Sequence, residues 1–580
     1  MAHLDFRLRH VQQGAAPADA RVLLWFSGDL AALAAVGFRV SSVAGDVAAG
    51  SVPSDRLEEL REHPQVLLVE GSRPLKDETD TSLPAINLLD PETMLRTVPG
   101  YGRGSIIGVI DSSFDLTHPC FRDGKKVATR ILCAWDQVNL RLDGGPPPAS
   151  FDYGVEYTQA RIDRLAAAEK VVVIESREQA GGHGTYVAGV AAGNGARQLI
   201  FKGVAPEADL IFVAYRNDVP VGGSAYVLDA ICYIVERARD AGRPAVINLS
   251  QGDGLGAHDG TSLLERAIDH LVSHERVLVV NSAGNEGTGE HHARGRVAEG
   301  GTSALPFELG APPDGDTIDL WYGGDDRFGV ALKTPRGEES SYVRPGEEKE
   351  IVFDSGAKAM IYSDTNYPGN GENRISVVLM KGDDREIGTW QLLLLGEHVR
   401  RGDFDAWADL AGGVTSILFA QAEPASTVTI PGTARRIVTV GGFVSRVIEY
   451  TPGGGVRGAL SEGSSLGPTR DGRHKPDLTA PSHLIMAPRS RQTPSALVIY
   501  DPQRGTSFAA PHVAGVAALL WALRPGLSAE CLREVLLSGA ADDCSTGATP
   551  NHNWGHGKLD ARASYVALNT GAEGGVKHRS

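Results

Sequence analysis

The chain has little of what marks several large protein classes. Its 580 residues hold only five cysteines (Cys120, Cys133, Cys232, Cys531 and Cys544), an odd number, scattered and without metal-ligand spacing. That argues against a disulfide scaffold or a zinc module and reads as reduced thiols. No block of Lys and Arg stands out, and the formal net charge of −16 has the wrong sign for nucleic acid or an anionic membrane surface. No apolar run reads as long enough to span a bilayer. Met1 to Arg7 lacks the charged-then-apolar pattern of a secretory leader. Thiols and leaderless start together lead to the expectation of a cytoplasmic protein, with non-standard export left open.

What is present is an ordinary soluble composition, 42% hydrophobic and 22% charged, with 70 glycines that suit many tight turns. Against this background one stretch carries the most information: Gly505-Thr506-Ser507-Phe508-Ala509-Ala510-Pro511-His512-Val513-Ala514-Gly515, a serine at the mouth of an apolar helix. Taken alone, Thr506 and Ser507 read equally well as helix caps. Upstream, Ile106-Ile107-Gly108-Val109-Ile110-Asp111 reads as a buried strand ending in an acid, and a carboxylate there is costly without a partner. Between them, Gly182-His183-Gly184-Thr185 sets a histidine between glycines at a helix start.

These three residue types belong together chemically. A serine hydroxyl is a poor nucleophile until a base removes its proton, and imidazole has a suitable pKa near neutrality. A buried carboxylate holds the imidazole in one tautomer and stabilises its charge as it forms. Asp111, His183 and Ser507 fill those roles, in the chain order known for subtilisin. A fourth segment, Val277-Leu278-Val279-Val280-Asn281-Ser282-Ala283-Gly284-Asn285, is another buried strand leading into a turn. The Asn285 amide is placed to donate to an oxyanion together with the Ser507 backbone N–H. The competing reading of Asn285 is a left-handed turn residue.

With these four blocks the chain resembles the subtilisin-like serine proteases (subtilases, peptidase S8). Lys202-Gly203-Val204-Ala205-Pro206, Val246-Ile247-Asn248-Leu249-Ser250, Lys475-Pro476-Asp477 and Trp554-Gly555-His556-Gly557 add to the likeness. The resemblance implies an α/β fold, a parallel sheet with helices on both faces, split into 79–287 and 426–570. It implies a serine endopeptidase (EC 3.4.21.-) that passes through an acyl-enzyme intermediate and needs no cofactor. The other class of function in play is a catalytically silent subtilase-fold scaffold, which the intact triad disfavours.

Two regions go beyond a minimal subtilase. Residues 1–78 alternate strand-like and helix-like segments, which suggests a small α+β module. It resembles a propeptide that would act as intramolecular chaperone and inhibitor, with a processing linker over 72–84; a permanent regulatory domain is the alternative. Residues 288–425 contain short apolar or alternating runs at 317–322, 328–332, 350–353, 359–362, 375–380 and 389–395, separated by turns. That pattern predicts an antiparallel, jelly-roll-like insertion, similar to the one in Csp-like subtilases. The tail, 571–580, is expected to be disordered.

The resemblance also assigns a substrate cleft. Leu249, Ser250, Gln251 and Gly252 form one wall of the pocket for the residue before the scissile bond, and Ser282, Ala283 and Gly284 the other. Thr429 lies at the base. The edge backbone would take protein or peptide substrate as an added strand. Thr429 would shorten the pocket, while Glu286 and Asp253 at the rim would favour a basic residue. The segment after the histidine helix, 191–197, lacks a set of calcium ligands, so no metal is expected there.

Overall fold

The computed structural model describes residues 3–4, 19–44, 46–71, 82–123, 128–139, 145–175, 182–196, 201–216, 223–310, 316–380, 386–409, 417–447, 456–491, 493 and 500–570. Most of the processing linker (72–81), Arg197, the turn at 381–384 and the tail from 571 lie outside the described residues. The chain divides into two compact units, Met1–Asp77 and Glu78–Ser580.

The first unit is a five-stranded sheet whose central strand, Asp19–Phe26, pairs antiparallel with Val47–Pro53 and Val66–Gly71. Val22, Leu24, Val52, Leu57, Leu60 and Val69 close one face into a core. The segment expected as a short helix is a 3-10 turn, Leu30–Val36, capped by Asp29, whose carboxylate accepts from the Ala31 N–H. Trp25, Val40, Val43 and Leu67 of this sheet are exposed.

In the second unit, an eight-stranded sheet is built from β1 (Ile106–Asp111), β2 (Ile131–Asp136), β3 (Val155–Thr158), β4 (Asp209–Ala214), β5 (Ala245–Leu249), β6 (Val277–Ser282), β7 (Val438–Phe443) and β8 (Leu478–Pro481). Their order is β8-β7-β6-β5-β1-β4-β2-β3, parallel except for β3 at the edge. The central strands are apolar on both faces because helices cover both. Helices α1 (His183–Ala192) and α4 (Thr506–Leu523) pack on each other and on the sheet, as do α2 (Gly223–Asp240) and α3 (Leu263–His274). In register, Leu249 of β5 pairs with Ile110 on one side and Asn281 on the other. The carboxyl ends of β1, β5 and β6 therefore open onto one edge, where open α/β sheets place their ligands.

Helix α4 corrects one sequence expectation. At 18 residues and a mean hydropathy of 1.4 it is long and apolar enough to cross a membrane by length and composition alone. Its apolar surface instead faces protein: 83% of that window is buried. A helix hydrophobic all round is either a membrane span or a central core helix, and α4 is central.

Between β6 and β7 lie two antiparallel sheets. One, of six strands, runs from His292–Arg296 through Asp403–Ala408, Asp316–Tyr322, Asn373–Leu379 and Lys358–Asp364 to Glu348–Val352. The other has four, Arg327–Lys333, Gly388–His398, Thr302–Leu309 and Ile417–Phe419. Side chains from both sheets, among them Phe307, Tyr322, Phe328, Trp390 and Phe404, share one core. Where this sandwich meets the parallel sheet's loops, the ring of Trp407 stacks on His258 at 4.2 Å and on His292 at 4.8 Å.

Candidate active site

Asp111 ends β1 fully buried, and His183 opens α1 directly opposite. The imidazole Nδ1 lies 2.8 Å from Asp111 Oδ1 and 2.9 Å from Oδ2. Two carboxylate oxygens at that range can only receive a proton, so Nδ1 is the donor and the neutral ring keeps Nε2 as its basic nitrogen. Burial lowers the imidazole pKa, but the Asp111 charge and hydrogen bond outweigh it, and His183 titrates above the ordinary histidine value. Its side chain keeps 24% exposure, so Nε2 faces an open cleft.

Ser507 sits in the first turn of α4. The Phe508 ring meets the His183 ring edge-on at 5.6 Å, which sets the imidazole beside that turn. Among the described residues the Ser507 hydroxyl donates only to the Ser250 carbonyl at 3.5 Å, the outer limit of a hydrogen bond. It is held loosely enough for rotation about its Cα–Cβ bond, and such contacts often tighten only with substrate bound. Both helices begin after a glycine at positive φ, Gly182 at 75° and Gly505 at 118°. That backbone, costly for other residues, turns His183 and Ser507 abruptly into the cleft.

Asn285 follows β6 and is exposed at the same edge. Its Oδ1 accepts from the Thr506 backbone N–H at 3.0 Å and from the Thr506 hydroxyl at 3.2 Å. This fixes the orientation of the amide, because an acceptor must face those donors. The Nδ2 group is left without a partner among the described residues. The Ser507 N–H, one of the orphan donors of a helix start, is likewise unpaired among them. Two donors at this edge are thus unpaired among the described residues.

The expected pocket walls come together. Thr429 donates its N–H to the Ala283 carbonyl at 2.9 Å, and its hydroxyl reaches the same oxygen at 3.3 Å. A Cβ added to Gly252 would lie 2.2 Å from Thr429 Oγ1, and one added to Gly284 2.7 Å from Thr429 Cγ2. Thr429 therefore spans the slot between the two glycines. Ser250 and Ser282 are buried at the strand ends, and Gln251 accepts from the Tyr215 hydroxyl at 3.2 Å. Leu249 ends β5 within the core. Of the two rim acids, Glu286 lies 3.3 Å from His291 Nε2, and Asp253 Oδ1 accepts from the Leu255 N–H at 3.0 Å.

Sequence reasoning missed the support beneath His183. Asp115 receives Arg491 Nε at 2.9 Å and Nη2 at 3.2 Å, both residues buried. The Asp115 N–H donates to Thr185 Oγ1 in the first turn of α1 at 2.9 Å, and that oxygen contacts Ser490 Oγ at 2.8 Å. The only local signal was a second acid four residues after Asp111. Beyond α1, Asn194 donates its amide to the carbonyls of Pro119 and Arg122.

A buried carboxylate, a histidine held by it and a serine at a helix mouth thus lie on the carboxyl edge of a parallel sheet, the arrangement expected of a subtilase. The chain belongs to the subtilase family, whose model matches residues 102–307 and 398–557. The C5a peptidase of Streptococcus pyogenes serotype M1 is 24% identical over 536 residues, 85% of this chain and 42% of that protein. The minor extracellular protease Vpr of Bacillus subtilis (strain 168) is 27% identical over 432 residues, 70% of this chain and 49% of that one. The chain spans less than half the length of these curated relatives. The structure of the Clostridium perfringens CspB protease is similar at a TM-score of 0.71 and 25% identity, covering 87% of this chain and 99% of that one.

These relatives correct the cytoplasmic expectation. Vpr is extracellular by its name, which conflicts with that placement. The cysteines were a poor guide to location for a physical reason. Cys120 and Cys133 are buried, and burial pushes both thiols up to about 12. Such thiols behave as small apolar side chains whatever compartment surrounds them.

Proposed function

We propose that this subtilase is an active endopeptidase in which Ser507 is the nucleophile, His183 the general base and Asp111 the residue that orients it. The observation that carries this reading is the two-oxygen hold of Asp111 on His183 Nδ1, at 2.8 and 2.9 Å, beside the loosely held Ser507 hydroxyl. His183 Nε2 takes the hydroxyl proton as Ser507 Oγ bonds to the scissile carbonyl carbon. The oxygen, now negative, receives hydrogen bonds from Asn285 Nδ2 and the Ser507 N–H. The imidazolium then gives its proton to the departing amine, leaving an ester on Ser507. Water, deprotonated by the same nitrogen, hydrolyses that ester. Wild type should react with a fluorophosphonate probe and Ser507→Ala should not; an unreactive wild type would sink the reading.

Substrate pairs as an extended strand with the backbone after β5, and its side chain before the cut enters the slot floored by Thr429. A filled floor favours small residues there. Glu286 is engaged by His291, which weakens the case for a basic residue.

The N-terminal unit serves as chaperone and inhibitor of the catalytic unit and is released by a cut within 72–84. Its support is a separate core and a sheet that leaves Trp25, Val40, Val43 and Leu67 exposed. Mass spectrometry of the N-terminus tests this. New termini in wild type but not in Ser507→Ala indicate self-processing, and equal processing of both assigns the cut to another protease.

A further inference from the structure

Helix α4 carries a proline one turn into it, Pro511. In an α-helix the carbonyl of residue i accepts from the N–H of residue i+4. Residue 511 stands four after Ser507, and proline has no N–H to give. The regular helical hydrogen bond to the carbonyl of the candidate nucleophile is therefore missing, and the proline ring crowds that same oxygen. An unpaired backbone carbonyl at a half-buried helix mouth costs about as much as a lost hydrogen bond.

The missing donor comes from the sheet. Ser250, the first residue past β5, donates its hydroxyl to the Ser507 carbonyl at 2.9 Å, across 257 positions of chain. That hydroxyl is itself oriented from below: Asn248 Nδ2 donates to Ser250 Oγ at 2.9 Å, and both residues are buried. The Asn248 amide thus commits the single Ser250 proton to Ser507. A second tie, from Asn285 Oδ1 to the Thr506 N–H, holds the preceding residue.

The geometry points to Ser250 as a positioning residue for Ser507, replacing the helical hydrogen bond that Pro511 removes. The inference rests on the reading of Ser507 as nucleophile. Its logic is that a serine anchored by the sheet's own edge keeps its place relative to His183 and Asn285, which arise from the same edge. A serine anchored only within its helix would move with the helix. Displacements of about 1 Å between reacting groups can cost about 100-fold in rate.

The test is a cycle of four proteins, wild type, Ser250→Ala, Pro511→Ala and the double variant, read by the second-order rate of fluorophosphonate labelling alongside thermal melting. Ser250→Ala should label about 10-fold more slowly than wild type. Pro511→Ala restores a backbone N–H opposite the Ser507 carbonyl, so the double variant should regain most of that loss. A merely structural role for Ser250 would not be rescued at a residue it does not touch. Ser250→Thr, which keeps the hydroxyl, should label within a few-fold of wild type. Unchanged labelling in Ser250→Ala, or a double variant no faster than Ser250→Ala, overturns the inference. If Ser250→Ala alone does not fold, recovery of folded, labelling protein in the double variant supports the inference and failure to recover it overturns it. Wild type that does not label at all strikes instead at the nucleophile reading, and this inference falls with it.

Discussion

The carboxyl edge of the parallel sheet and the junction with the inserted sandwich both gather polar side chains, and they treat them in opposite ways. At the junction Asp405 accepts from His292 Nε2 at 3.1 Å, Arg294 Nε at 2.9 Å and Arg470 Nε at 3.3 Å. Close by, Asp319 accepts from Arg374, Ser376 and the Trp321 indole. At the sheet edge, His183 Nε2, Asn285 Nδ2 and the Ser507 N–H lack partners among the described residues, and the Ser507 hydroxyl has only a contact at 3.5 Å. Paired groups hold parts together. Unpaired groups at one edge are what the proposed reaction requires, since they can receive a charge that develops only in the transition state. The lesson is that burial of polar residues does not by itself mark chemistry; the direction of their unspent hydrogen bonds does.

The comparison breaks most visibly if the unpaired edge proves dispensable. Ser507→Ala should lower kcat by about 10⁶-fold, the loss seen for the corresponding change in subtilisin. Asp111→Asn should cost about 10⁴-fold, because an amide that donates to Nδ1 selects the wrong tautomer. It should also move the acidic limb of the pH–rate profile. Activity requires neutral His183, so in wild type kcat/KM rises with pH through a value above the ordinary histidine pKa, since Asp111 stabilises the protonated ring. Without that carboxylate the limb should fall to lower pH. A limb that stays in place would remove Asp111 from the mechanism. Asn285→Ala should cost about 10²–10³-fold in kcat with KM little changed, the range known from subtilisin.

Much of this site was legible because each part is local. Ile106 to Asp111 is a continuous apolar run closed by an acid, and the glycines beside His183 and Ser507 mark abrupt helix starts; chemistry and backbone signal share one short window. The supports were not legible, since they join distant stretches. Arg491 meets Asp115 across 376 positions, and Ser250 meets Ser507 across 257. Pro511 was in plain view, yet its consequence depended on which strand end lay opposite. In the insertion the alternating runs foretold six strands, while His292–Arg296, Thr302–Leu309, Asp403–Ala408 and Ile417–Phe419 were missed. The first is polar with a central glycine. The second contains Pro306, which argues against a paired strand, yet it lies between two partners. Tertiary pairing overrode local preference in both.

Within the edge, Thr429→Gly separates the pocket floor from the catalytic groups. Opening the slot between Gly252 and Gly284 should raise kcat/KM for peptides with leucine or phenylalanine before the cut by about 10–100-fold relative to alanine, the scale of a few methylenes in a pocket. The fluorophosphonate labelling rate should stay near that of wild type. An unchanged preference would mean that the side chain before the cut does not enter this slot.

The smallest effect on activity is expected on the paired side. Burial alone would raise the Asp405 carboxyl, but His292, Arg294 and Arg470 outweigh it and hold the pKa down to about 2, below the usual 3.8. A carboxylate depressed in the folded state adds stability that is present above pH 3.8 and lost as pH falls through 2. Its size is about 2.5 kcal/mol, from nearly two pKa units at about 1.36 kcal/mol each. Asp405→Asn should therefore lower the urea midpoint at pH 7, by an amount equivalent to about 2.5 kcal/mol or somewhat more, because two arginines lose their counter-charge. It should also flatten the loss of stability that wild type undergoes between pH 4 and pH 2. Fluorophosphonate labelling of the folded variant at pH 7 should match wild type. If labelling falls instead, the junction and the catalytic edge are energetically coupled, and the division between structural and chemical polar groups does not hold in this fold.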